Sequence, residues 1–198
     1  MNAPQLTVPA PGEAAAQQRA VELRVLEQVT IKAWDWVLFV ECGDGWLVEE
    51  AWRHLRKGHV CGLSMSSELV DLAFQLRGAP GKVEFKTWDG KRFPCTDQSF
   101  DRVISCVPCG WYLQPAAVLR EMARVLRPDG DAYLLEPDGA PPEVSQPPQT
   151  RDSADLGRLL AEAGFSEAGR TRAPGSQGDP TAPVLIHVRQ CLPRTCRS

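Results

Sequence analysis

The stretch that decides the fold is "WVLFVECGDG", residues 36–45. Its first half, Trp36–Val40, is an unbroken apolar run, and Gly43 and Gly45 follow it closely. Such a run indicates a strand that is buried on both faces, as the strands of a parallel sheet are. The glycines indicate a tight turn where that strand ends. We therefore predict a buried strand that leads into a helix through a glycine-containing turn.

Strands and helices alternate on either side of this stretch. The predicted strands are Val37–Val40, Val60–Leu63, Val83–Lys86, Val103–Cys106 and Ala132–Leu135. Helices are predicted over 47–55, from Ser66 or Ser67 to Leu76, over 115–126 and over 153–163, with a turn at Arg127–Gly130. Segments 165–171 and 184–189 are candidates for two last strands, joined as a hairpin. This alternation predicts an α/β fold with a doubly wound, mostly parallel sheet.

The length of 198 residues fits a single domain. Residues 1–12 are rich in proline and alanine and are expected to be a disordered tail. A helix is expected to begin at Glu13, so the predicted domain covers 13–190, and 191–198 form a second tail.

Charge and composition exclude several classes of function. The net charge of −3 and the scattered basic residues give no sign of a nucleic-acid-binding surface. No stretch reaches the roughly 18 apolar residues that a membrane helix needs, and the start of the chain does not resemble a signal peptide. Seven scattered cysteines, an odd number, argue against a disulfide framework. We expect a cytoplasmic protein with reduced thiols and no membrane partner.

Two longer motifs identify a family resemblance. The segment "VEFKTWDGKRFPCTDQSFDRVIS", residues 83–105, and the segment "VLREMARVLRPDGDAYLLEP", residues 118–137, are the most specific pieces. They resemble the class I S-adenosylmethionine-dependent methyltransferases, of the type 11 group, over residues 36–189. The resemblance implies a Rossmann-like sheet of seven strands, S-adenosylmethionine as cofactor and methyl transfer to an acceptor that the sequence does not specify.

The resemblance places the cofactor at the turn after the first strand. Family members carry an acidic residue and then G-x-G-x-G there, whereas this chain has Phe39 at the acidic position and Glu41 at the first glycine position. Gly43 and Gly45 remain, and glycine lets a cofactor approach the backbone. Glu41 is a candidate for the missing acidic role. A lone G-x-G is also typical of a plain tight turn, so both interpretations stay open here.

The resemblance extends the cofactor site to the next two strand ends. Ser64 stands where the family usually has a carboxylate for the ribose hydroxyls, and it lacks the charge of that group. Asp89 and Gly90 match the position that elsewhere contacts the adenine, although Asp-Gly is also a common turn pair. The predicted cofactor-binding residues are therefore Glu41, Gly43, Gly45, Ser64, Asp89 and Gly90.

The segment after the fourth strand is the candidate acceptor side. Trp111 and Tyr112 are predicted for the substrate pocket, with core packing as the equal alternative. Cys106 and Cys109 have C-x-x-C spacing, which leaves a thiol role open, but packing of two small apolar side chains is favoured. No general base and no metal site are identified.

Two hypotheses for the function follow. The first is a methyltransferase, for which positioning of donor and acceptor can supply much of the rate. The second is a catalytically silent methyltransferase-like subunit that binds a protein partner. The eroded cofactor motif supports the second, because each lost charged hydrogen bond costs about 1.5–3 kcal/mol of binding.

Overall fold

The computed structural model describes residues 19–20, 22–137, 153–172 and 183–191. Its strands are β1 (Trp36–Val40), β2 (His59–Ser64), β3 (Val83–Thr87), β4 (Phe100–Ser105), β5 (Leu126–Pro137), β6 (Phe165–Arg172) and β7 (Pro183–Gln190). Its helices are α1 (Trp46–His54), α2 (Ser67–Arg77), α3 (Pro115–Val125) and α4 (Ser153–Glu162), and residues 22–26 are also helical. Among these described helices, none is both long and apolar enough to cross a membrane.

The seven strands form one sheet in the order β3-β2-β1-β4-β5-β7-β6. Strands β1 to β5 pair in parallel, and β7 pairs antiparallel with both β5 and β6. The predicted α/β fold with a doubly wound, mostly parallel seven-stranded sheet is therefore confirmed. The last two strands are also paired as predicted, while the loop between them lies outside the described residues.

Two apolar clusters cover the two faces of the sheet, which explains the unbroken apolar strands. Leu38 and Val40 of β1 face one cluster, and Val37 and Phe39 face the other. All four side chains are fully buried. Since alternate residues of a strand point to opposite faces, a strand covered on both sides needs apolar residues at every position.

Local signals set the starts of the helices. Ser66 caps α2, and its Oγ accepts a hydrogen bond from Leu69 N at 3.2 Å, which satisfies a free amide of the first turn. Pro115 occupies the first turn of α3, where its missing N–H costs nothing. Both starts agree with the sequence prediction.

The predicted turn at Arg127–Gly130 is wrong, because these residues belong to β5. The register between β4 and β5 shifts between the pairs Phe100↔Leu126 and Arg102↔Asp131. Proline and glycine here mark an irregularity in a strand, which the same residue types also favour. The predicted tails, apart from Cys191, and the proline-rich segment after Pro137 lie outside the described residues.

A buried ion-pair network closes the amino edge of the sheet. The guanidinium of Arg102 lies 3.5 Å from Asp35 and 3.5 Å from Asp131. It also donates to Thr30 O at 2.7 Å. Arg102 is 4% exposed and Asp35 is 2% exposed, so these charges depend on each other for solvation. A concavity of about 450 Å³ adjoins them, and its Arg127 and Asp101 are ion-paired at 2.6 Å.

Candidate functional site

The candidate site lies at the carboxyl edge of the sheet. The strand order reverses between β1 and β4, and ligands of open α/β sheets bind at such a switch point, beyond the carboxyl ends of the strands. The turn after β1, the ends of β2 and β3 and the segment after β4 all lie at this edge. It divides into a β1–β3 half and a β4–β5 half.

Glu41 dominates the β1–β3 half. Its carboxylate accepts hydrogen bonds from residues at the carboxyl ends of β2 and β3. Oε1 accepts from Trp88 Nε1 at 2.6 Å and from Met65 N at 3.1 Å. Oε2 accepts from Ser64 Oγ at 3.2 Å. Its φ of 56° is left-handed, which costs a non-glycine residue about 1–2 kcal/mol. The three hydrogen bonds offset that strain and hold a carboxylate beside Ser64, where the sequence alone offered only a hydroxyl.

Phe39 plays no part in this cluster. It is fully buried and packs in the apolar cluster that also contains Leu47 and Val48 of α1. The acidic position of the family motif is therefore occupied by a core residue. Glu41 supplies the acidic group at this strand end, two residues later in the sequence.

The two glycines of the turn have different reasons to be glycine. Both have positive φ, 56° at Gly43 and 77° at Gly45. A Cβ on Gly45 would lie 2.7 Å from the Phe85 ring, so this residue must be small for α1 to pack on the sheet. A Cβ on Gly43 would meet nothing within 4 Å. Open space thus borders the backbone at Gly43, and this glycine is the one that a ligand could approach.

Asp89 and Gly90 form a turn beside the Glu41 cluster. Asp89 Oδ1 accepts from Lys91 N and Arg92 N, both at 2.9 Å, and these bonds lower the pKa of the exposed Asp89 carboxyl. Gly90 has φ 78°, and a Cβ there would lie 3.2 Å from Met65 Sδ. The turn interpretation is thus correct for the geometry. An adenine contact by Asp89 stays a prediction.

Trp111 and Tyr112 separate in the structure. Tyr112 is 2% exposed, and its hydroxyl lies 2.9 Å from Ser105 Oγ at the end of β4. Its ring is 6.3 Å from that of Trp88, which connects the two halves of the edge. Trp111 is 65% exposed, and the adjacent Leu113 is 88% exposed. Tyr112 is thus a buried residue beneath the surface of this edge, which we call the floor. Trp111 and Leu113 are exposed beside it and form what we call the rim.

Cys106 and Cys109 do not form a working pair. Cys109 packs in the cluster on one face of the sheet, whereas Cys106 packs against the cluster on the other face. Burial raises the pKa of both thiols well above its usual value. In the part of the chain that the structure describes, no three metal-binding side chains come together. Packing therefore explains both cysteines.

Glu136 is the residue that the sequence analysis missed. It lies at the end of β5, and its Oε1 accepts from Cys109 N at 2.8 Å. Burial raises the pKa of its carboxyl, and the bonds from Cys109 oppose that rise only in part. The signal was present in the sequence, because an acidic residue directly follows the apolar run of β5 just as Glu41 follows that of β1. A carboxyl group with a raised pKa at a strand end is a candidate acid or base.

Comparison with known proteins shows which proteins this chain is similar to. Residues 37–130 match the family model described as a methyltransferase domain. The demethylmenaquinone methyltransferase of Lactobacillus johnsonii is 34% identical over 119 residues, which cover 57% of this chain and 48% of that protein. The chain thus spans about half the length of that curated relative.

Solved structures agree on the fold. A SAM-dependent methyltransferase from Aquifex aeolicus superposes with a TM-score of 0.72 at 17% identity, covering 91% of this chain and 98% of that one. A putative methyltransferase of Haloferax volcanii, solved in complex with a methyltransferase activator, gives 0.70 at 20% identity, covering 90% and 95%. Residues 37–130 are thus similar to a methyltransferase domain, and the chain has the fold of the class I S-adenosylmethionine-dependent methyltransferases.

The similarity to methyltransferases implies S-adenosylmethionine as the cofactor, and the residues at the β1–β3 half fit that group. The open space at Gly43 admits a ligand to the backbone. Glu41 provides a fixed carboxylate, the acceptor type that ribose hydroxyls require. Asp89 keeps its Oδ2 without a hydrogen bond from the described residues.

Proposed function

We propose that this protein transfers a methyl group from S-adenosylmethionine to an acceptor that carries an exchangeable proton. The observation that supports this most directly is the pair of carboxylates on the two halves of the carboxyl edge. Glu41 is fixed by three donors beside the open turn at Gly43. Glu136 lies on the other half and has a raised pKa.

The β1–β3 half would hold the cofactor. Glu41 would accept from a ribose hydroxyl, and because a carboxylate has about four acceptor positions, its existing three bonds leave room for one more. Ser64 would hold the Glu41 carboxylate in place through its hydrogen bond, and Gly43 would let the ligand approach the backbone. Asp89 would use its second oxygen, while Gly45 and Gly90 shape the two turns.

The β4–β5 half would receive the acceptor. The cofactor supplies a methyl group on a sulfonium, a reaction in which alignment provides much of the rate. Glu136 would take the proton that the acceptor loses. Its raised pKa brings it closer to neutral pH, where a general base works best.

The rim of this half favours an acceptor with an apolar part. Trp111 and Leu113 expose large apolar side chains next to the Tyr112 floor. The relative from L. johnsonii is named for demethylmenaquinone. We propose a hydroxyl-bearing apolar molecule as the acceptor class for this chain.

Location and partners are further parts of the proposal. The cysteines that the structure describes are all free thiols, which supports a cytoplasmic location. The activator bound to the H. volcanii neighbour makes a protein partner a reasonable expectation. A silent subunit that binds such a partner is the competing hypothesis.

Calorimetry with S-adenosylmethionine and S-adenosylhomocysteine tests the cofactor half. We expect a Kd of about 100 µM or lower, near −5 kcal/mol. A folded protein that binds neither compound at millimolar concentration contradicts the proposal and favours the silent subunit.

The acceptor half is tested separately, with methyl-labelled S-adenosylmethionine and a panel of long-chain alcohols, hydroquinones and fatty acids. Transfer to a hydroxyl compound, with a rate that rises with pH as Glu136 ionises, supports the role of Glu136.

A further inference from the structure

We infer that the amino edge of the sheet binds single-stranded nucleic acid, on a basic surface that carries exposed tryptophans. The surface consists of Lys32, Trp34, Trp36, Arg56, Lys57 and Lys82, and we call it the amino-edge surface. These residues lie in the loops directly before β1, β2 and β3 or at the start of β1. Because these three strands are parallel, their amino ends meet at one edge, and the fold gathers basic residues that are scattered in the sequence. This edge is opposite to the site of the proposed function.

The cations of the amino-edge surface are not part of the buried ion-pair network. They are Lys32, Arg56, Lys57 and Lys82, which are all exposed and have no carboxylate partner among the described residues. The backbone amides of Arg56 and Lys57 donate to Ala33 O at 2.8 and 3.0 Å, which holds this basic pair against the loop that carries Trp34. The whole chain has a net charge of −3, so the four cations form a local excess of positive charge. Such an excess attracts a polyanion.

Two tryptophans accompany these cations. Trp34 is 66% exposed and lines the concavity of about 450 Å³ at this edge. Trp36 is 41% exposed, and its ring lies 4.8 Å from the His59 ring and 6.0 Å from the Arg127 guanidinium. Among the described residues, no ring or cation stacks on Trp34. Proteins that bind single strands combine cations for the phosphates with aromatic side chains on which bases stack, and Trp34 offers such a stacking face.

The shape and polarity of the concavity favour a nucleobase over a lipid surface. Gln98 and Asp129 are exposed in the concavity with Trp34. The Asp129 carboxylate can accept a hydrogen bond from the amino group of a base, whereas the negative surface of an anionic membrane repels it. The large aliphatic side chains that the described residues expose, which would enter a bilayer, lie on α2, beside it and on the rim of the carboxyl edge. A base can reach Trp34 in this way only from a single strand, since a duplex keeps its bases stacked.

Fluorescence anisotropy with labelled oligonucleotides tests this inference on the full-length protein. The probes are single-stranded RNA and DNA of about 10 nucleotides and the matching duplex. We expect single strands to bind with a Kd between about 1 and 100 µM, at least about tenfold more tightly than the duplex. Contacts to three phosphates should weaken binding about twentyfold between about 50 and 200 mM salt. No binding of single strands, or equal binding of the duplex, would overturn the inference. No S-adenosylmethionine is added, so the result is independent of the proposed function.

Trp34→Ala measures the contribution of base stacking. Because Trp34 is exposed, the variant should keep its fold, which circular dichroism checks. Affinity for single strands should fall about tenfold or more, while the salt dependence stays the same. Trp111→Ala is the matched control, since Trp111 is 65% exposed but lies at the opposite edge. If Trp111→Ala weakens binding and Trp34→Ala does not, the nucleic acid lies at the carboxyl edge and the inference is wrong.

The double variant Arg56→Ala/Lys57→Ala measures the contribution of charge. Each lost phosphate contact reduces the slope of log affinity against log salt by about 0.7, so the slope should decrease by about 1.4. Lys91→Ala/Arg92→Ala removes an exposed basic pair at the carboxyl edge and should leave the slope unchanged. Equal changes in the two double variants contradict a localised binding surface.

Vesicles of phosphatidylserine and phosphatidylcholine test the membrane alternative. We expect the protein to stay in the supernatant when the vesicles are sedimented at the salt concentration at which oligonucleotides bind. Sedimentation with the vesicles that Trp34→Ala abolishes would assign the amino-edge surface to a membrane and overturn the inference.

Discussion

The two edges of the sheet differ in the partners of their charged side chains. At the amino edge, Arg102 is buried between Asp35 and Asp131 and also bonds to backbone carbonyls. At the carboxyl edge, Glu41 accepts from three uncharged donors, and Glu136 accepts from Cys109 N while the charge of Arg170 acts on it more weakly than burial does. Buried ion pairs stabilise a fold, while carboxylates that accept mainly from uncharged donors are available to a ligand.

This difference explains why the concavity at the amino edge is not the candidate site. It has volume, but Asp101, Arg102 and Arg127 are already committed to ion pairs. The carboxyl edge has instead an open backbone turn and two carboxylates whose hydrogen bonds from the described residues come from uncharged donors. A buried pair is costly to break, whereas a lone carboxylate mainly costs its own desolvation. The two edges should therefore respond differently to substitution.

The largest expected effect is on stability, at the amino edge. Arg102→Ala should lower the free energy of unfolding by about 3–5 kcal/mol, because it leaves Asp35 and Asp131 without their shared cation. Urea denaturation measures this. Arg53→Ala, which breaks exposed pairs with Glu49 and Glu50, is the control and should cost under about 1 kcal/mol. Equal losses in the two variants would contradict the distinction between the edges.

The next effect is on ligand affinity, at the carboxyl edge. Gly43→Val should abolish binding of S-adenosylhomocysteine, at least a hundredfold loss, because its side chain enters the space that the ligand needs. The positive φ of Gly43 adds about 1–2 kcal/mol of strain. Gly81→Val is the matched control, since Gly81 has φ 73° and the same open surroundings but lies away from the edge. Calorimetry should show binding lost only in Gly43→Val; binding that survives there places the ligand elsewhere.

A smaller effect is expected at Glu41. Glu41→Gln removes the charge and turns one acceptor oxygen into a donor that faces Trp88, Met65 or Ser64. Affinity for S-adenosylhomocysteine should fall about tenfold, the value of one charged hydrogen bond. Glu68→Gln, an exposed change on α2, should leave it unchanged. Unchanged affinity in Glu41→Gln means that Glu41 serves the turn and not the ligand.

The smallest effect is the pH dependence of stability at Glu136. Burial raises the pKa of this carboxyl in the folded state, whereas the unfolded chain ionises near the ordinary value of about 4.3. The folded state then binds more protons, so stability falls as pH rises from that value through the folded pKa. Glu136→Gln cannot ionise, and its melting temperature should gain on the wild type as pH rises from 4 to 8.

Glu167 provides a control of opposite sign. Arg170 lowers the pKa of the Glu167 carboxyl, so its stabilising contribution is present above the unfolded pKa and is lost on acidification. Glu167→Gln should therefore lose a little melting temperature near neutral pH and approach the wild type at low pH. Parallel pH profiles for the two variants would contradict the assigned environment of Glu136.

The sequence predicts the sheet well and the site only in part. An unbroken apolar run identified β1, and the alternation of strands with helices identified β2 to β5. The turn predicted at Arg127–Gly130 was wrong, because proline and glycine favour a turn and a strand irregularity alike. The reach of Glu41 to Trp88 spans 47 residues and depends on a φ that no local pattern reveals. Long-range hydrogen bonds of this kind are set by the fold and cannot be read from spacing.

The insertion of β7 between β5 and β6 has a consequence for the order of folding. While the ribosome is making the chain, β5 is complete long before residues 183–190 emerge, and it then presents a row of unpaired amides and carbonyls. Strand β7 can pair with β5 only after more than 40 intervening residues have been made, and this long sequence separation slows folding and prolongs the exposure of that edge. A stalled or truncated product therefore carries an unpaired β5 edge that is prone to aggregation. The yield of soluble product should then depend on chaperones more than that of the full-length chain.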